Sequence, residues 1–238
     1  MKPELIVALD VSTAAEVPPI VEHLSRVAWF KVGLELFTAA GPDVLAFLSD
    51  GGHKVFLDLK FHDIPRTVQR AVTAAARHKV ALLTVHAAGG RAMMRAAADA
   101  AAACGPSAPR LIGVTTLTSL GPEDLKDIGV LRTMEEQALR LGDLALTSGL
   151  QGLVTSVHEV ASLRRRFGDA PLLVAPGIRP LDSAAGDQKR TATPAAAVQA
   201  GASFLVVGRP ILDAIDRARA ADLIMDEMER AWTAYATA

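Results

Sequence analysis

Asp58, Lys60 and Asp63 stand together in the short segment DLKFHDIPRT, Asp58 to Thr67, of a 238-residue chain. An ammonium held among carboxylates is an acid fixed in place, able to deliver a proton where negative charge develops on a bound molecule. An arbitrary Asp-x-Lys is equally an ion pair closing the end of a strand, so the pattern depends on its setting. KVFLDLK reads as a strand, and the two-residue period of a strand turns Asp58 and Lys60 to one side. Pro65 then suits the first turn of a following helix, with Asp63 just before it.

A second group of residues suits an anion. From Gly177 to Thr193 the chain reads GIRPLDSAAGDQKRTAT, too long for an ordinary strand-to-helix turn and too polar for a core. With Arg179, Gln188, Lys189 and Arg190 it is read as a lid over a bound group; a plain surface loop is the alternative. Further on, VVGRP sets Gly208 and Arg209 where a strand passes into a helix, whose unpaired N–H groups attract anions. A strand end with a convenient turn reads the same way.

The elements that must position these residues follow one pattern. Short apolar, β-branched runs (LIVALD, AWFKVG, KVFLDL, VALLTVH, RLIGVTT, GLVTS, PLLVAP and SFLVVG) alternate with alanine-rich amphipathic stretches, as in repeated βα units around a parallel sheet. Near-continuous apolarity indicates strands buried on both faces. Eight units in a chain of this length predict an α/β fold, a (β/α)8 TIM barrel formed as a single domain over residues 1–238. In that fold the C-terminal strand ends converge on one mouth, and here they carry Asp10, Lys31, Asp58, Lys60, His86, Thr118 and Arg209.

Composition narrows the function classes. Half of the residues are hydrophobic and the net charge is -1, so no global field draws nucleic acid or an acidic membrane, and an anion must be held by a local site. Cys104 is the only cysteine, which excludes disulfides within the chain and a cysteine-based zinc site. Neither an export signal nor a run of roughly 20 apolar residues is seen; a soluble protein of the cytoplasm is expected. His23, His53, His78 and His158 lack metal-ligand spacing, His86 reads as a structural histidine, and His62 as a support for its neighbours.

Over its whole length DLKFHDIPRTV resembles the signature of the orotidine 5′-phosphate decarboxylase family, and VALDVS, FKVGLELF, VAPGIRP, DQKRTATP and VVGRPI resemble its other segments in order and spacing. The resemblance implies decarboxylation of orotidine 5′-phosphate to uridine 5′-phosphate in pyrimidine synthesis, without metal or organic cofactor. Lys60 would protonate C6 of the pyrimidine, with Asp58 beside the departing carboxylate. Asp10 and Lys31 would contact the ribose region, and Thr118 the pyrimidine edge. Gly208, Arg209, Arg179 and Gln188 would hold the phosphate, Gln188 also reaching the base. A homodimer is implied, in which Asp63, Ile64 and Thr67 complete the partner's site and Asp63 joins Lys31, Asp58 and Lys60 in an alternating charge array.

Two other functions fit parts of the pattern. Magnesium-dependent sugar-phosphate decarboxylases and synthases share Asp-x-Lys-x-x-Asp, but they resemble one another in a metal-holding glutamate before x-Gly on the second strand. Lys31 stands there in this chain and would repel a metal ion. A non-catalytic nucleotide-binding barrel is the third reading, because a fold and a phosphate site alone do not establish chemistry.

Overall fold

In the computed structural model, which describes residues 1–180 and 190–237, eight parallel strands close into a barrel in sequence order. They are β1 (Glu4–Ala8), β2 (Trp29–Gly33), β3 (Lys54–Phe61), β4 (Leu82–His86), β5 (Arg110–Val114), β6 (Gly152–Val154), β7 (Leu172–Ala175) and β8 (Phe204–Val207). Each overlaps a segment that the apolar pattern marks as a strand, with β1 starting one residue earlier and β3 running on to Phe61. The helices form the outer layer: α1 (Val17–His23), α2 (Leu34–Ala40), α3 (Asp43–Asp50), α4 (Pro65–Ala76), α5 (Gly90–Ala103) and α6 (Pro122–Asp127) in the first part of the chain. They continue as α7 (Met134–Thr147), α8 (Val157–Phe167), α9 (Pro194–Ala200), α10 (Arg209–Leu212) and α11 (Arg217–Ala236). Among the described residues no helix is long and apolar enough to cross a membrane.

The strands read as continuously apolar because their two faces enter two separate cores. Leu5 and Val7 of β1 pack outward with Phe30, Leu57, Leu83 and the helices, whereas Ile6 and Ala8 point inward with Trp29, Phe56, Leu82, Ile112 and Val206. This parity positions the site. Two residues beyond the last inward apolar side chain of their strands come Asp10, Lys31, Asp58 and Thr84, so the inner face turns polar at the C-terminal mouth. At the inward position Gly152 a side chain is excluded: an added Cβ would lie 2.5 Å from the Leu172 carbonyl oxygen and 3.0 Å from Ile112 Cδ1.

Local signals set the helix starts near the mouth. Pro65 opens α4 as the sequence predicts. Thr193 caps α9 by accepting a hydrogen bond from the Ala196 N–H, with Pro194 in the first turn and a left-handed Gly201 ending the helix. Both stems of the long β7–α9 connection are tied together. Arg179 N–H donates to the Ala192 carbonyl at 2.9 Å, and Ala192 N–H donates to that of Gly177 at 3.3 Å. The central part of the expected lid, with Gln188 and Lys189, lies outside the described residues.

Candidate active site

A cavity of about 240 Å³ opens at the barrel mouth. Ala8, Val114, Val154, Leu117 and Val206 give it an apolar floor and wall, and Lys31, Lys60, Arg179 and Arg209 line it together with the carboxylates Asp10 and Asp58. Thr118 and Gly208 also line it. The structure therefore gathers eight of the residues expected from the sequence into one hollow: Asp10, Lys31, Asp58, Lys60, Thr118, Arg179, Gly208 and Arg209.

The charges at its centre form a chain. Lys31 Nζ lies 2.9 Å from Asp10 Oδ1 and 3.9 Å from Asp58 Oδ2, and the same Asp58 oxygen accepts from Lys60 Nζ at 2.9 Å. Side-chain exposure falls from 54% at Asp10 to 13% at Asp58 and 12% at Lys31, so the inner pairs feel a lower effective dielectric than surface ion pairs do. Within one chain the alternation is Asp10, Lys31, Asp58, Lys60; the sequence carries Asp10 to the mouth but leaves it out of the array. Asp63 is exposed, its Oδ1 accepts the N–H of Ile64 at 2.6 Å, and among the described residues it makes no ion pair with Lys60 of its own chain.

Asp58 and Lys60 are neighbours for a different reason from the strand period. The β3–β4 ladder pairs Leu57 with Leu83 and next pairs Phe61 with Val85, so Asp58, Leu59 and Lys60 bulge opposite Thr84 alone. Lys60 adopts a left-handed backbone, φ 49°, which is uncommon for a residue with a side chain. Its N–H donates to Thr84 Oγ1 at 2.8 Å, and that hydroxyl donates to Asp58 Oδ1 at 3.1 Å. Thr84 was missed because its sequence signal is a lone hydroxyl inside the apolar run LLTVH.

Arg179 and Arg209, expected from the sequence to hold an anion, line the same cavity. Burial, then the nearby charge of Arg209, lowers the pKa of the Arg179 guanidinium, against a smaller opposing effect of Asp213. A bound anion would relieve that repulsion. At Gly208 an added Cβ would stand 3.1 Å from Asp10 Oδ2, so a side chain there would press on that carboxylate. Arg190, grouped in the sequence with the anion-binding cations, instead forms a two-pronged pair with Glu159 of α8. Glu159 is 2% exposed; the pair anchors the returning stem of the long connection.

His86 extends the inner face of β4 and stacks on His62, ring centroids 5.0 Å apart. Burial first, then the charges of His62 and Lys60, hold His86 below the usual imidazole range. Among the described residues its Nδ1 is buried without a hydrogen-bond partner.

Residues 3–224 match the model of the Orotidine 5′-phosphate decarboxylase / HUMPS family. The chain is similar to an orotidine 5′-phosphate decarboxylase of Opitutus terrae, with 48% identity over 95% of this chain and 98% of the relative. One of Moorella thermoacetica is 49% identical over 96% and 93% of the two chains. Among solved structures, the orotidine 5′-phosphate decarboxylase of Lactobacillus acidophilus superimposes with a TM-score of 0.85 at 40% identity, covering 95% of this chain and 99% of that one.

Proposed function

Because the chain belongs to the Orotidine 5′-phosphate decarboxylase / HUMPS family, we propose that it is a carboxy-lyase that converts orotidine 5′-phosphate to uridine 5′-phosphate with Lys60 as the proton donor. The observation that carries the assignment of Lys60 is its ammonium, 2.9 Å from Asp58 at the rim of an apolar-floored cavity. Departure of carbon dioxide leaves an electron pair on C6 of the pyrimidine. Lys60 stabilises that charge and delivers a proton to the carbon, closing the step without a cofactor.

Asp58 holds Lys60 through Oδ2 and stands beside the substrate carboxylate, while Asp10 and Lys31 meet the ribose and Thr118 the base edge. The phosphate binds to Arg179, Arg209 and the backbone N–H of Gly208, and the family resemblance adds Gln188, outside the described residues. Four cations against two carboxylates suit a substrate that carries both a phosphate and a carboxylate. One ammonium at ~4 Å and an effective dielectric near 20 contributes roughly 4 kcal/mol, or about three decades of rate. Phosphate contacts remote from the reacting carbon supply further binding energy for closure and distortion.

Asp63, Ile64 and Thr67 are exposed, Ile64 at 67%. That surface supports a homodimer in which they reach the partner's cavity and Asp63 extends the charge array. Lys31 argues against the magnesium-dependent members of the family, since its ammonium already bridges the Asp10 and Asp58 carboxylates that a divalent ion would need. Decarboxylation of orotidine 5′-phosphate, followed by absorbance with a chelator present, tests the proposal. The wild type turns over and Lys60→Ala does not. No turnover by the wild type refutes the assignment, and turnover abolished by the chelator revives the metal-dependent reading.

A further inference from the structure

We infer that Thr84 is the positioning residue for the proton donor, a role that rests on the reading of Lys60 given above. Among the described residues its hydroxyl is the one side-chain group hydrogen-bonded to both ends of the Asp58–Lys60 unit. As acceptor it takes the main-chain N–H of Lys60, and as donor it gives its proton to Asp58 Oδ1. Asp58 Oδ2 is thereby left to face the ammonium groups of Lys60 and Lys31.

The need for such a group follows from the bulge. Between the pairs Leu57/Leu83 and Phe61/Val85 the ladder lapses, so no β4 carbonyl takes the Lys60 N–H, and a part-buried N–H left without a partner costs about 1–3 kcal/mol. The left-handed conformation of Lys60 is itself unfavourable by roughly 1–2 kcal/mol. A hydroxyl projecting from the facing strand satisfies the N–H and holds the conformation that swings Nζ back onto Asp58. Thr84 is fully buried, and its β-branched side chain is stiff about χ1, so the hydroxyl has little freedom to move.

Function enters through geometry. A misplacement of about 1 Å in a catalytic group costs on the order of 100-fold in rate. Thr84 does not line the cavity, so its loss acts on the chemical step and not on nucleotide affinity. Thr84→Val keeps the shape and removes the hydroxyl; Thr84→Ser keeps the hydroxyl; Thr84→Ala guards against misfolding of the valine variant.

The experiment measures kcat and KM for orotidine 5′-phosphate, Kd for uridine 5′-phosphate, and deuterium exchange at the Lys60 amide. Thr84→Val and Thr84→Ala are expected to lose about 10- to 100-fold in kcat, with KM and product Kd nearly unchanged and Lys60 amide protection lost. Thr84→Ser is expected to restore most of the rate. An unchanged kcat with an active wild type, or a loss of product affinity parallel to kcat that serine does not rescue, overturns the role of Thr84 alone. An inactive wild type overturns the reading of Lys60 and this inference with it.

Discussion

The two ends of the barrel differ in what their hollows are made of. At the N-terminal end a cavity of about 400 Å³ lies among Leu5, Trp29, Met225, Met228 and Trp232, larger than the one of about 240 Å³ at the mouth. Of the charged groups that line it, Lys2 pairs with Glu229 and Arg26 with Asp222. Glu4 accepts from the Trp29 indole N–H at 2.9 Å, Lys54 lies over the same ring at 5.0 Å, and Phe204 meets it edge-on at 5.0 Å. At the mouth the charges converge on open space. Size alone does not locate chemistry; unlike charges held at close quarters over an apolar floor do.

That contrast can be broken from either end. Lys60→Ala should lower kcat/KM by about three decades or more and leave the unfolding midpoint nearly unchanged, read by steady-state kinetics and thermal melting together. Activity within tenfold of wild type would remove Lys60 from the chemistry. At the other end Trp29→Ala should cost about 3–5 kcal/mol of stability in urea titration while kcat well below the melting temperature stays the same. A proportionate fall in kcat would show that the two ends are not separable.

Smaller changes sharpen the contrast within the mouth. On the proposed phosphate role, Arg209→Ala removes a charge-assisted contact worth roughly 1.5–3 kcal/mol, so kcat/KM should fall by about one to two decades; unchanged kinetics would exclude Arg209 from the phosphate site. The smallest effect belongs to His86. Its folded pKa is depressed, so the unfolded chain takes up the proton first as pH falls. Its contribution is complete above the unfolded value near 6.5 and is lost as pH falls through the lower folded value. His86→Gln should therefore flatten the loss of stability between neutral pH and pH 5, measured by denaturant titration at each pH. An unaltered slope would mean that His86 does not control it.

Much of the candidate site was legible because the fold repeats. Asp10, Lys31 and Asp58 are polar residues at the C-terminal ends of apolar runs, and strand parity carries them to the inner face. Lys60 was legible for the wrong reason, since its place beside Asp58 comes from a bulge and a left-handed backbone, not from simple alternation. Arg190 was misread because charge in a loop does not reveal its partner, and the buried Glu159 that takes it sits on another element.

By itself the sequence determined the eight-unit barrel, since apolar periodicity is a local property that each βα unit states independently. It also determined which residue types reach the mouth. Only the tertiary structure decided which of them touch: that Asp10 ends the charge chain and that the Thr84 hydroxyl takes the Lys60 N–H. Those contacts join strands far apart in the chain, through distances and a lapse in register that no single segment encodes. The proposed proton donor is named by its own segment, but a hydroxyl of the neighbouring strand holds its backbone.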